Sequence, residues 1–213
     1  MSASGIAITR RTPPWLLVAF VAILAAAALW FVQDRARVYL NYDAKSYADL
    51  WPRRGGLIPH MTGGLVAISV GLIQLWLGLT GRTTSLHRTL GRVYLGGVAL
   101  GSAGGFYLAL TIEPKYFSYA AGLFMLSTAW VLTTAMAYAA IRRGERQLHR
   151  EWMIRSYTVT FAFVTFRLIE KFILPLHLAS DDEIDSMMAW ASWSMPLLLV
   201  EPMLQWRRLR RAA

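Results

Sequence analysis

An all-α integral membrane bundle of six transmembrane helices, both termini cytoplasmic, is the fold class the sequence predicts. Three observations predict it. The 213-residue chain is 56% hydrophobic and only 16% charged, with mean hydropathy +0.40, a balance typical of polytopic membrane proteins. Its apolar runs have the ~20-residue length that crosses a ~30 Å hydrocarbon core. Its arginines and lysines sit in short blocks between those runs. The net charge of +10 therefore marks helix ends, so the expected partner is the lipid bilayer and not nucleic acid. No basic stripe on a soluble domain, P-loop or Rossmann glycine pattern accompanies it. There are no cysteines. Thiolate metal sites, iron–sulfur clusters and covalent c-type haem are excluded, and any cofactor falls to His, Met, Tyr or carboxylate.

Residues 1–33 combine a basic segment carrying Arg10 and Arg11 with a first apolar run, Trp15 to Val32, bracketed by Trp15 and Trp30 as interface anchors. A cleaved signal peptide competes, because Ala25 to Ala28 offers a small-residue cleavage site. The length of the run and its aromatic ends favour an uncleaved helix. Residues 34–58 form an extracytoplasmic loop with room for an interfacial helix and a turn, but not for a domain.

Residues 59–206 form a five-helix transmembrane core. Pro59 opens the second span, since proline suits a first helical position, and the span runs to about Leu79. Gly64, Gly71 and Gly78 give it a small-residue seam. The third span, about Leu86 to Ile112, carries Gly97, Gly101 and Gly105 in a G-x-x-x-G-x-x-x-G series. Such glycines let a backbone approach a neighbouring helix or a planar cofactor, and they allow homo-oligomers. Glu113-Pro114 breaks the chain before the fourth span, about Tyr116 to Ile141. The fifth runs from about Trp152 to Leu174. An acidic loop, Ser180 to Asp185, precedes the sixth, Met187 to Trp206, which Pro196 and Pro202 are expected to kink. Residues 207–213 are a basic cytoplasmic tail.

With both termini inside, the inner segments carry thirteen of the 22 Lys and Arg and the outer ones seven, Arg155 and Arg167 lying within the fifth span. Positive charge collects on the cytoplasmic side, and a bacterial inner membrane is the expected location.

The four histidines fall two to a face. His60 and His177 lie at outer helix ends, His87 and His149 at inner ends. This suits a b-type haem protein that moves electrons across the bilayer with paired neutral imidazoles as axial ligands. His87 and His149 come first, because the chain repeats itself around them. Leu86-His87-Arg88 leads into Arg92-Val93-Tyr94, and Leu148-His149-Arg150 leads into Arg155-Ser156-Tyr157. The echo suggests a parallel internal repeat, helices 2–3 with 4–5, about an axis along the membrane normal. Arg92 and Arg155 then stand near haem propionates. His60, in a first helical turn with Gly64 one turn on, is a further candidate ligand. Plain interfacial anchoring is the competing reading of all four. The helical length from His149 to His177, ~42 Å, exceeds a ~30 Å core, so those two lie near the surfaces.

Ionisable groups inside a span are costly unless they face a partner or water. Arg155 and Glu201 lie at matching depths of consecutive antiparallel spans and are expected to form a structural ion pair. A proton-relay carboxylate at Glu201 is the alternative. Arg167 and Glu170 share a helix face and are expected to pair. Thr158, Thr160 and Thr165 are expected to bond back to their own helix.

The segments IPHMTGG (58–64), LHRTLGRVYLGGVALGSAGGFYLAL (86–110) and HREWMIRSYTVTFAFVTFRLIEKFILP (149–175) resemble a bacterial family of small polytopic membrane proteins labelled only as a domain of unknown function. The phrases H-R-x-L-G-R-x-Y and H-R-x-W-M-x-R-S-Y carry the resemblance, which covers about residues 58–175. It implies an integral membrane protein with His60, His87, His149, Arg155 and Arg167 as pattern positions, and no assigned activity.

Three functions follow from these readings. The first is haem b binding and electron transfer through His87 and His149. The second is binding or transport of a small anion or lipid headgroup by Arg88, Arg92, Arg150 and Arg155. The third, a membrane hydrolase or a metal-dependent enzyme with Glu145 or Glu151 completing a site beside His87 and His149, has least support, because no nucleophile–base motif accompanies it and two histidines are thin for zinc.

Overall fold

The structure, a computed structural model, describes residues 14–82 and 84–212. The basic segment with Arg10 and Arg11 lies outside the described residues. All regular structure among the described residues is helical. The α-helices are α1 (Pro14–Phe31), α2 (Ala44–Tyr47), α3 (Arg54–Leu79), α4 (Ser85–Leu110), α5 (Phe117–Arg142), α6 (Arg146–Thr160), α7 (Ala162–Ile173) and α8 (Asp181–Ala212). Four segments are long and apolar enough to cross a membrane: Trp15–Asp34, Ala44–Leu79, Ser85–Leu110 and Pro114–Arg142.

The last two expected spans differ from the reading above. The fifth is two helices that meet at Phe161. Thr158 and Thr160, in the last turn of α6, bond the carbonyls of Ile154 (2.8 Å) and Ser156 (2.9 Å), and Thr165 bonds that of Phe161 (3.1 Å). Hydroxyls bonded back in this way bend helices. The sixth, α8, is continuous through Pro196 and Pro202 and starts within the acidic segment. It is long enough to cross, but its serines, prolines and Glu201 leave it short of the apolarity of the other four.

Pro59 does not open the second span. α3 begins at Arg54 and holds Pro59 inside. The N–H that proline lacks would have reached the carbonyl of Gly55, and Gly55 is exposed, so water can replace that bond. The 34–58 segment is likewise helical in pieces: a π turn (Val32–Ala36), a 3-10 turn (Arg37–Leu40), α2, and a second 3-10 turn (Ala48–Arg53). Asp43 caps α2 by accepting from the backbone N–H (2.8 Å) and hydroxyl (3.0 Å) of Ser46. These bonds hold its carboxyl below the usual range. Tyr39, Tyr42 and Trp51 pack around Tyr47, with ring centroids 5.3–5.9 Å from it.

The core is built on glycine. A Cβ at Gly63 would strike the backbone of Gly97 and Gly101, and one at Gly104 the backbone of Gly56 and His60, so α3 and α4 touch main chain to main chain. The expected seam at Gly64 and Gly71 faces elsewhere, onto the rings of Phe163 and Tyr157. α3 thus carries two adjacent stripes, Gly56 and Gly63 for α4, Gly64 and Gly71 for α6 and α7. Of the glycines in the expected seams, Gly64, Gly71, Gly97, Gly101 and Gly105 pack within the chain, whereas a Cβ at Gly78 would meet nothing within 4 Å. Gly122 meets Ala189 and joins α5 to α8. The turns Gly81 (φ 73°) and Gly144 (φ 78°) need positive φ. They reverse the chain at one end of the bundle, called here the basic end.

A hydroxyl layer crosses the middle. Tyr94 of α4 lies 2.8 Å from the Ser156 hydroxyl and 2.7 Å from that of Thr160. Trp130 of α5 donates to Thr160 (2.7 Å), and Thr134 contacts Ser156 (2.7 Å). All five residues are buried.

Candidate functional site

Two cavities flank the hydroxyl layer. The one at the basic end has a volume of about 700 Å³. α4 and α6 both begin there, after the Gly81 and Gly144 turns, and each brings its first-turn histidine to the cavity wall: His87 and His149. Buried Gln74 donates to the carbonyl of His87 (2.7 Å) and fixes the start of α4 against α3. His149 is held from α5, its Nδ1 lying 2.9 Å from the carbonyl of Ala137. A carbonyl only accepts, so Nδ1 carries the proton and Nε2 presents a lone pair. His87 Nδ1 is buried and has no hydrogen-bond partner among the described residues.

Among the described residues five arginines line this cavity, Arg88, Arg92, Arg142, Arg146 and Arg150, and no carboxylate does. Among the described residues Arg88, Arg92, Arg142 and Arg146 make no ion pair. Below the rim the walls are apolar, and Gly71, Tyr94 and Tyr157 close the floor. Tyr157 donates to the carbonyl of Ile68 (3.1 Å). A Cβ at Gly78 or Gly91 would meet nothing within 4 Å, so glycine keeps this space open.

The other sequence-predicted residues lie elsewhere. Arg155 does not line the cavity. Its Nε and Nη2 each donate to Glu201 at 2.9 Å, a bidentate pair that joins α6 to α8. The guanidinium lies over Trp152, 4.7 Å from the ring centroid. Arg167 pairs with Glu170 at 2.9 Å. Glu151 is engaged by Arg208 and Gln147. No group of three or more His, Asp or Glu able to hold a metal ion occurs among the described residues. His177 sits exposed in a left-handed turn (φ 47°) and lines neither cavity.

His60 lies on the second cavity, about 590 Å³, at the opposite end. Its Nδ1 bonds the carbonyl of Gly101 at 2.9 Å. Phe163 packs against it, ring centroids 4.8 Å apart. The 34–53 segment roofs this cavity through Val38, Tyr39, Leu50 and Arg53. Sequence reasoning missed the hydroxyl layer, the Glu151–Arg208 bridge and Ser127, which lines the second cavity. The Ser156–Thr160 spacing on α6 was the one available signal of the layer, and it reads equally well as local back-bonding.

No curated protein and no solved structure matches the chain. A family model described as predicted membrane protein (DUF2306) does match it over residues 57–204, which include α4–α7 and most of α3 and α8, and the chain belongs to that family.

Proposed function

We propose that this protein is a membrane-embedded binding protein that holds an anionic amphiphile in the basic-end cavity. In this reading the chain crosses the membrane six times, α6–α7 and α8 completing the bundle. Both termini and the cavity mouth are cytoplasmic, in a bacterial inner membrane. The observation that carries it is the rim: five arginines and no carboxylate around an apolar interior of about 700 Å³. A carboxylate or phosphate group would pair with the guanidiniums, and an apolar body would fill the space beneath. That volume lies within the ~300–1,000 Å³ of small-molecule sites.

Haem b, with a role in electron transfer, is the second reading, favoured by the two imidazoles on one cavity. His87 and His149 would hold the iron and Arg92 a propionate. Bound haem would supply one-electron chemistry. The fit is partial. His149 donates Nδ1–H to a carbonyl, as metal-bound imidazoles usually do, whereas His87 Nδ1 has no such partner. Arg155 is committed to Glu201. The internal repeat belongs to the same proposal: α3–α4 and α5–α6 as parallel copies, with Leu86-His87-Arg88 and Leu148-His149-Arg150 opening equivalent helices at one end.

The test is purification in mild detergent, with haem precursor supplied during expression. Visible spectra, oxidised and reduced, and mass spectrometry of extracted lipid are then recorded. A colourless protein with an acidic lipid or fatty acid, lost in Gly91→Leu, supports the first reading. A Soret band with sharp reduced α and β bands, lost in His87→Ala or His149→Ala, supports the second. A colourless protein with no acidic amphiphile overturns both.

A further inference from the structure

We infer that the second cavity is a binding site for an uncharged, lipid-soluble quinol. The inference does not rest on what the basic-end cavity holds. It rests on two polar side chains set into an aromatic pocket.

The first is Ser127 of α5. It lines the cavity and is only 5% exposed. Among the described residues its hydroxyl makes no hydrogen bond to the protein, and it is not sealed off like the fully enclosed unpaired atoms, so it faces the cavity and is open to a ligand. The second is His60 of α3. The Gly101 carbonyl takes the Nδ1 proton, which fixes the neutral tautomer and leaves Nε2 as an acceptor only. The two side chains are neighbours: a Cβ built on Gly105 would lie 2.6 Å from Ser127 Oγ and 3.2 Å from His60 Nδ1. Together they offer one acceptor and one hydroxyl. The complement is a single ligand hydroxyl that donates to His60 and accepts from Ser127.

The remaining walls define the body of that ligand. Phe163 lies beside His60 at 31° to its ring plane, and Trp130, Tyr119 and Phe166 also line the cavity. A flat aromatic head suits such walls. Charge is disfavoured, since the cations near the mouth have acidic partners: Arg167 with Glu170 at 2.9 Å and Lys171 with Asp34 at 4.0 Å. Arg53 remains at the rim, far less positive charge than the other cavity carries. A hydroxylated aromatic head on a hydrocarbon chain is a quinol. Its oxidised form, a quinone, keeps an acceptor for Ser127 but has no proton for His60.

The experiment is calorimetric titration of the full chain in lipid nanodiscs with decylubiquinol and, separately, decylubiquinone. The quinol is expected to bind about tenfold more tightly, the worth of one hydrogen bond. Ser127→Ala is expected to weaken both forms several-fold, and it removes an unpartnered hydroxyl without disturbing packing. His60→Ala is expected to weaken the quinol to the level of the quinone and leave the quinone unchanged, a difference that misfolding would not produce. Absence of saturable binding, equal affinity for the two forms, or unchanged affinities in Ser127→Ala overturns the proposal.

Discussion

Tyr94 on α4 donates its phenol hydrogen to Thr160 on α6, across 2.7 Å. The direction follows from counting protons. Thr160 gives its own to the carbonyl of Ser156, so it can only accept from Tyr94 and from Trp130. Tyr94 must then accept from Ser156, and Ser156 from Thr134. Every proton in the layer has one assignment, and three helices are tied by it. Thr160→Val removes an acceptor shared by two buried donors. It is expected to destabilise the protein by about 2–4 kcal/mol, as two orphaned groups would, and Tyr94→Phe by about 1–2 kcal/mol. Thermal unfolding in detergent by circular dichroism would measure both. A Thr160→Val protein as stable as the parent would rule out this account of the layer.

The Arg155–Glu201 pair is asymmetric, the arginine side chain being 10% exposed and the glutamate 43%. Glu201→Ala strands a buried guanidinium whose Nη1 already lacks a partner. It is expected to cost about 3 kcal/mol. Arg155→Ala leaves a carboxylate that water can reach and is expected to cost less. The same unfolding assay orders the two, and the reverse order would refute the desolvation argument. Glu201→Gln is expected to keep ligand binding. Loss of binding with folding intact would reinstate a working role for this carboxylate.

Glycines of α3 and α4 divide into two kinds. Gly63→Ala and Gly104→Ala place a methyl group into opposing backbone and are expected to cost about 1–3 kcal/mol or more through forced separation of the helices. Gly91→Ala meets open space and is expected to raise stability by up to about 1 kcal/mol from helix propensity. Opposite signs in one unfolding series would verify the contact; equal effects would count against it.

At the basic-end cavity, the double change Arg88→Gln and Arg92→Gln is expected to weaken an acidic amphiphile about tenfold or more and to flatten the salt dependence of its binding. A fluorescent fatty acid titrated at low and high salt reads both. Unchanged affinity would exclude the rim as the anion site.

Much of this was legible in the sequence, and the reasons for the rest are physical. Hydropathy located the four most apolar helices, because crossing a membrane requires a long unbroken apolar run. The family resemblance over about residues 58–175 agrees with the match over residues 57–204. The LHR echo brought His87 and His149 together, and both line one cavity. Pro59 was misplaced because proline is cheap anywhere in a first turn or two whose carbonyls are hydrated. The break at Phe161 was missed because no Pro or Gly marks it. The second cavity has walls from α1, α3–α7 and the 34–53 segment. No local pattern encodes such a convergence.

The hydroxyl layer also has an electrical consequence. Tyr94 belongs to the floor of one cavity, Trp130 to the wall of the other, and Thr160 bonds both. This septum lies between the two pockets, packed among Ala67, Val98, Tyr157 and Val159, and its protons are all committed, so it offers no file of mobile water. If solvent enters the pockets from the two faces, most of the membrane voltage drops across the septum. A charge resting in either pocket then senses little of the roughly 2.3 kcal/mol per 100 mV that a full crossing entails. Occupancy of each pocket is therefore expected to be insensitive to membrane potential, and to answer to the composition of its own side.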